Sequence, residues 1–271
     1  MLTFIKFGGS VITNKQGEEA ADLPVISRLA AEVRAALDDL PTLRLVLGHG
    51  SGSFGHVYAA RYGVHKGIPV DGDWMGFART AAAALRLNRI VVDALLRAEV
   101  PALALQPSAS LHSVAHEVTH WQVDTILLAL DHGMVPVVHG DVSFDTAQGS
   151  AIISTEGLFA YLCLHSAIRP RRIVLVGEAG VYTADPHLNP AAERIPLITE
   201  ENIASVLHGT GDSRAVDVTG GMRSKIEAMW QLVQHLPELE IHLIGPAPGL
   251  LHRALTGNAV GEGTLIKQVE N

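Results

Sequence analysis

Two glycine turns in this chain carry residue types suited to handling phosphate. The first closes the apolar run Leu2-Thr3-Phe4-Ile5 and reads Lys6-Phe7-Gly8-Gly9-Ser10. The second closes Leu45-Val46-Leu47 and reads Gly48-His49-Gly50-Ser51-Gly52-Ser53-Phe54-Gly55-His56. Glycines let the backbone approach a ligand closely and take positive φ. The unpaired N–H groups at a helix start present partial positive charge to an anion. Lys6 adds a full cation to the first turn, and His56 falls within the first turn of the helix expected after the second. A third polar glycine turn, Asp217-Val-Thr-Gly-Gly221-Met222, leads into an amphipathic stretch with Lys225 about one turn in. A single lysine in such a place is most often a surface residue beside an ordinary helix cap. Three of them beside glycine turns (Lys6, Lys15 and Lys225) shift the balance towards a site. Two phosphate cradles in one chain suggest phosphoryl transfer between two phosphorylated ligands.

The familiar nucleotide signatures do not account for these turns. The chain lacks G-x-x-x-x-G-K followed by Ser or Thr. Gly50-x-Gly52-x-x-Gly55 has the dinucleotide spacing, but the next buried strand ends in Gln106-Pro107 rather than an acid. A further motif, His116-Glu117-Val118-Thr119-His120, spells H-E-x-x-H. A zinc protease needs both histidines on one helical face.

The elements that must position these residues alternate along the chain. Strands are expected at 3–7, 44–47, 102–105, 135–138, 173–176 and 240–244. Helices are expected at 24–37, 53–62, 76–98, 123–131, 155–166, 200–207 and 221–235. Strands that are apolar throughout and separated by helices form a mostly parallel sheet covered on both faces. Ligands on such sheets bind beyond the carboxyl ends of the strands, where both glycine turns sit. The expected fold is therefore a three-layer αβα sandwich with a mostly parallel central sheet.

The chain has 271 residues, 48% of them hydrophobic, enough for one large core or two closely joined lobes. A net charge of −8 without a basic block disfavours nucleic acid as a partner. The lone Cys163 lies in an apolar helical run and reads as a buried thiol; no disulfide can form within the chain. With no signal-peptide pattern and no apolar run of membrane-spanning length, a soluble cytoplasmic protein with no membrane partner is expected.

Taken together, five segments resemble the amino-acid kinase superfamily and, within it, the isopentenyl phosphate kinases. They are Lys6-Phe-Gly-Gly-Ser-Val-Ile-Thr-Asn-Lys15, His49-Gly-Ser-Gly-Ser-Phe-Gly-His56, Gly140-Asp141-Val142, Gly180-Val-Tyr-Thr-Ala-Asp-Pro186, and Asp217-Val-Thr-Gly-Gly-Met222 with Lys225. The resemblance covers nearly the whole chain. It implies transfer of phosphate from ATP, usually with Mg²⁺, to isopentenyl phosphate in isoprenoid-precursor synthesis, by a homodimer. It also implies a lobe over residues 1–170 that binds the acceptor and a lobe over 171–271 that binds the nucleotide, within one continuous domain joined near 165–172. By resemblance, Lys6 and Lys225 lie on the ATP phosphates, Lys15 lies near the transferred group, and His56 donates to the acceptor phosphate. Gly8, Gly9, Ser10, Ser51, Gly177 and Gly221 then flank ATP, Gly50 and Gly149 lie against the acceptor, and Asp141 orients the lysines. The helix bearing Trp74, Met75 and Phe77 is the candidate wall for the hydrocarbon tail. The same resemblance places His116 and His120 on a strand–turn–strand hairpin, where they cannot share a metal.

Three positions depart from that family's pattern. Ser51 replaces a third glycine, and a positive φ there would be strained. Ser154-Thr155-Glu156-Gly157 stands for Ser-Gly-Asp-Asp, so a lysine-organising acid sits one methylene further out, on Glu156. Gly177 replaces an aspartate beside the nucleotide. Two other readings share the motifs: a fosfomycin-type kinase acting on another small phosphorus oxyanion, and a relative that binds ATP without transferring phosphate.

Overall fold

The computed structural model describes residues 1–14, 17–184, 186, 188–189, 191–209, 221–259 and 261–269. The chain begins β1 (Leu2–Phe7), α1 (Gly9–Ile12), α2 (Leu23–Asp39), β2 (Arg44–His49), α3 (Gly52–Tyr62) and α4 (Met75–Arg97). It continues β3 (Ala102–Ala104), β4 (Leu111–Val114), β5 (Glu117–Trp121), α5 (Asp124–Asp131), β6 (Val135–His139), β7 (Asp141–Asp145), β8 (Gly149–Ile153) and α6 (Thr155–His165). The remaining strands are β9 (Arg172–Val176), β10 (Val181–Tyr182), β11 (Arg194–Ile195), β12 (Leu197–Ile198), β13 (Glu240–Ile244) and β14 (Thr264–Ile266). Between and after them come α7 (Ile203–Gly209), α8 (Gly221–His235) and α9 (Leu250–Thr256).

Eight strands form the central sheet in the order β12-β14-β13-β9-β1-β2-β6-β3. All pairs from β13 to β3 are parallel; β14 runs antiparallel to β13 and parallel to β12. Successive residues of a strand point to opposite faces, and here both faces are apolar. Phe4, Val46, Val138 and Ile173 share a core with α5, α6, α7 and α8, whereas Ile5, Leu47, Val137 and Val174 share one with α2, α3, α4 and α9. The result is the expected three-layer αβα sandwich. The pairing of β1 with β9 joins the sheet across residue 170.

Local chemistry sets the ends of the elements. Asp22 caps α2 by accepting from Val25 N at 3.1 Å, and the helix stops at Leu40, the residue before Pro41. The α3 helix ends at Gly63 in the left-handed region, φ 67°. In α4 the buried Ala83, Leu87, Val91 and Leu95 recur every fourth residue and make one apolar stripe.

A second sheet of four short strands has the order β5-β4-β7-β8, and its Leu111, Trp121, Ala151 and Ile153 share the core of Phe4 and Val46. Its β4–β5 hairpin carries the H-E-x-x-H segment. His116 lies in the turn with φ 70°, and His120 lies on β5 opposite His112, so the motif is not helical. Asp145 ties this hairpin to β7 by accepting from Ser113 Oγ, Ala115 N and His116 N at 2.8–3.0 Å. Among the described residues no group of three or more His, Cys, Asp or Glu is placed to hold a metal ion. No helix among them is long and apolar enough to cross a membrane.

The feature that positions the site is the carboxyl edge of the central sheet. Five neighbouring strands, β6, β2, β1, β9 and β13, are each followed at once by glycine: Gly140, Gly50, Gly8, Gly177 and Gly245. Four of these glycines donate to the last carbonyl of the next strand, as a staircase. Gly140 N reaches His49 O at 3.0 Å, Gly50 N reaches Phe7 O at 3.0 Å, Gly8 N reaches Val176 O at 2.7 Å and Gly177 N reaches Ile244 O at 2.8 Å.

Candidate active site

Because β1 and β2 are adjacent, the first two glycine turns lie side by side, and their backbones touch. A Cβ on Gly9 would come within 2.6 Å of Gly52 N, and one on Gly50 within 2.8 Å of Gly9 N. No side chain fits at such separations, so Gly9 and Gly50 are required by the abutment of the two turns. Thr13 stitches them: its Oγ1 donates to Gly9 O at 2.7 Å and accepts from Ser53 N at 3.0 Å. Ser51 carries no strain, with φ −81° and ψ −12°; the positive φ of this turn falls on Gly52, at 48°. The serine in place of a third glycine is thereby accommodated.

Lys6 is the half-buried cation of the first turn, and Glu156 is its partner. Lys6 Nζ lies 2.5 Å from Glu156 Oε1. Glu156 occupies the first turn of α6, whose N-cap Ser154 accepts from Gly157 N at 3.0 Å. Burial pushes the Glu156 carboxyl up, but the charges of Lys6 and Lys225 and the hydrogen bond from Lys6 outweigh it. The group is held below the usual carboxylate range. Glu156 thus spans the extra methylene to pair with Lys6 from β1, and the charge of Lys225 at the start of α8 acts on it as well.

A cleft opens at the second glycine turn. Ser51, Gly55 and His56 line it from α3 and its cap, Thr80 from α4, and Gly140 with Asp141 from the turn after β6. Next to it Trp74, Phe77 and Phe144 form an aromatic cluster with ring centroids 4.8–5.7 Å apart, over the buried Val64, Ile68 and Val142. Trp74 and Phe77 fit the expected apolar wall. Met75 is exposed and is not part of it, because it faces outward from the first turn of α4. Phe144 was not expected: it stands on the short strand β7, which has no long apolar run to announce it.

The other anticipated residues distribute as follows. Gly8 lies against Gly177, and Ser10 is exposed in α1. Gly221 opens α8, while Lys15 and residues 217–220 lie outside the described residues. Asp141 lines the cleft but is committed elsewhere: its carboxylate accepts from Ser108 N at 3.1 Å and Val142 N at 2.8 Å. Glu156 is the acid that pairs with Lys6, whereas the Asp141 carboxylate accepts from the 107–109 turn and from its own strand. Gly149 sits at the Asp145 end of β8, φ 87°, where a Cβ would meet Ile68 O at 1.8 Å. Its glycine identity is explained by that backbone contact, outside the residues that line the cleft with His56. Cys163 is buried, and burial pushes its thiol up to about 12, which leaves it inert.

Residues 1–244 match the model of the Amino acid kinase family. The chain belongs to the amino acid kinase family. Among family members it is 36% identical to the isopentenyl phosphate kinase of Methanothermobacter thermautotrophicus, over 98% of each chain. It is 34% identical to that of Haloferax volcanii over 93% of this chain and 98% of that one. A solved isopentenyl phosphate kinase structure superposes with TM-score 0.80 at 32% identity, covering 98% of this chain and 100% of the other. The amino acid kinase architecture extends to the carbamate kinase of Giardia lamblia bound to AMP-PNP, TM-score 0.72 at 11% identity, a likeness of fold alone.

Proposed function

We propose that this amino acid kinase transfers the γ-phosphoryl group of ATP to isopentenyl phosphate, giving ADP and isopentenyl diphosphate. The observation that carries the proposal is the end-to-end likeness to isopentenyl phosphate kinases, 36% over 98% of both chains. The site supports it by placing an imidazole, His56, in a cleft bounded by an aromatic cluster. Such a cleft suits a small phosphate ester with a hydrocarbon tail, since burying each methylene contributes roughly 0.8 kcal/mol.

The chemistry asks for positioning and charge neutralisation. A phosphate monoester is already largely ionised near neutral pH, so its oxygen attacks the γ-phosphorus without a general base. The P–O bond to the ADP leaving group breaks as the new one forms. In this reading Lys6 and Lys225 neutralise the ATP phosphates, Lys15 follows the transferred group, and His56 donates to the acceptor phosphate. Gly8, Gly9, Ser10, Gly177 and Gly221 line the nucleotide, and Gly50 lies at the acceptor together with Ser51, which the resemblance sets beside ATP but which lines the cleft with His56. Residues 171–271 supply most nucleotide contacts and 1–170 most acceptor contacts. Mg²⁺ fits this site as a companion of the ATP phosphates, since Glu156 is engaged by Lys6 and Asp141 by backbone amides. When bound it neutralises phosphate charge. A homodimer is proposed on the same family grounds.

The test is ADP release from Mg·ATP with isopentenyl phosphate, beside fosfomycin and an acceptor-free control. Turnover with isopentenyl phosphate alone supports the proposal. Turnover with fosfomycin alone replaces it with a phosphonate kinase, and ATP binding without any ADP release replaces it with a non-transferring relative.

A further inference from the structure

Beneath the second glycine turn lies a group that the mechanism above leaves unused. His49, the last residue of β2, is fully buried. Its Nδ1 lies 3.0 Å from Gly50 O and its Nε2 lies 3.1 Å from Asn88 Nδ2 on α4. A carbonyl only accepts and an amide NH₂ only donates, so Nδ1 carries the proton and Nε2 the lone pair. Both oxygen lone pairs of His49 are also taken, by Thr155 Oγ1 at 2.7 Å and Gly140 N at 3.0 Å. The ring stacks on His139, the last residue of β6, with centroids 5.6 Å apart; His139 Nδ1 in turn lies 3.2 Å from Gly140 O. Two neighbouring strands thus end alike, each with a histidine fastened to the carbonyl of the glycine that follows. Burial, the adjacent His139 and the charge of Lys6 push the His49 imidazole down to about 3, so it stays neutral despite its bond to Gly50 O.

The peptide joining Gly50 to Ser51 is a trans, planar unit whose C=O and N–H point in opposite directions. Fastening the Gly50 carbonyl inward therefore turns the Ser51 N–H outward. Ser51 lines the cleft that holds His56, and no acceptor among the described residues takes its N–H. We propose that His49 is a positioning residue for the acceptor: it holds the Gly50 carbonyl so that the Ser51 amide donates, beside His56, to the acceptor phosphate. This rests on the phosphoryl-transfer reading above.

Asn and Gln variants separate positioning from packing, since Asn offers an N–H near the Nδ1 place and Gln offers one near Nε2. Expected for His49→Gln is at least a tenfold fall in kcat/KM for isopentenyl phosphate, with KM for ATP within twofold of the parent. His49→Asn should keep kcat/KM within about threefold. Equal losses in the two variants, or losses that affect both substrates alike, would overturn the proposal in favour of a packing role. A second measurement stands even if a variant does not fold. In ¹⁵N-labelled parent protein, the Ser51 amide resonance should shift on adding isopentenyl phosphate without nucleotide. An unmoved Ser51 resonance in protein that turns over isopentenyl phosphate overturns the role of His49 and leaves the proposed function standing. A moved resonance without turnover sustains the cradle and refutes the kinase reading.

Discussion

In the proposed reading the two abutting glycine turns solve the same problem, presentation of backbone amides to an anion, by opposite electrostatic means. The turn after β1 is organised by charge: Lys6 pairs with Glu156, and the carboxylate stays ionised because the charges of Lys6 and Lys225 offset its burial. The turn after β2 is organised without charge: a neutral, fully buried imidazole fixes it from below, and Thr155, Asn88 and Gly140 satisfy that residue completely. A triphosphate carries more negative charge than a monoester, so the cations belong on its side. Buried neutral donors suit the smaller anion, because they hold a fixed geometry without repelling the lysines next door.

The largest effect expected from breaking this contrast comes from Lys6→Met. We expect kcat/KM to fall by roughly a thousandfold, the scale of losing a cation that acts on transition-state charge. The substitution also leaves Glu156 buried without its closest partner, which costs stability on its own. The double variant Lys6→Met/Glu156→Gln should regain the melting temperature and not the activity. Recovery of both would reduce Lys6 to a structural ion pair.

Next in size is His56→Ala, which acts on the other turn. Steady-state turnover with isopentenyl phosphate should drop at least tenfold while ATP binding, read by calorimetry, stays nearly unchanged. Unaltered turnover would remove His56 from the site. Weakened ATP binding would mean that the two turns are not divided between the two ligands.

Much of this arrangement was legible from residue order. The central strands β1, β2, β6, β9 and β13 announce themselves because burial on both faces makes them apolar throughout, and Lys6 and His56 stand directly beside their glycine turns. Of the four-stranded sheet only the β4–β5 hairpin was anticipated, and that by family resemblance, since β4, β5, β7 and β8 are each four or five residues long and too short to establish a period. Phe144 was missed with its strand. Glu156 was noticed only as a departure; its reach to Lys6 depends on how α6 docks on β1, which no local signal encodes. His49 and His139 had a readable sign, the His-Gly pair closing two apolar strands, but their adjacency arises from a strand order that brings residues 90 positions apart into register. Asp141 misled for the converse reason. An acid beside a glycine turn looks like a partner for lysine, yet the bonds it shows here are those accepted from Ser108 N and Val142 N.

The charged half of the contrast also predicts a pH signature of moderate size. Glu156 titrates below its ordinary value in the folded chain, whereas unfolded it titrates near the ordinary 4.5. Its contribution to stability is therefore fully present above that value and is lost as the pH falls through the folded value. Comparing melting temperatures of the parent and Glu156→Gln from pH 7 down to pH 3 should show a gap that is constant at high pH and closes in the acid range. A gap independent of pH would mean that the carboxylate matters for shape rather than charge.

The smallest effect, and the one that sharpens the contrast most finely, concerns Gly177. Its N–H is held by Ile244 O at 2.8 Å, yet a Cβ there would meet nothing within 4 Å, and its φ is not positive. Gly177→Asp is therefore free of steric cost, and the melting temperature should move by no more than about a degree or two, as for surface substitutions generally. The new carboxylate would stand beside Gly8, on what the proposed function makes the nucleotide side of the edge. If it reaches a ribose hydroxyl, KM for ATP should fall about threefold with KM for isopentenyl phosphate unchanged, a gain on the order of one hydrogen bond at a half-buried site. A rise in KM for ATP would place position 177 against the phosphates, where the glycine keeps an anion out. A change confined to KM for isopentenyl phosphate would break the division between the two turns, because a group next to Gly8 would then be acting on the acceptor.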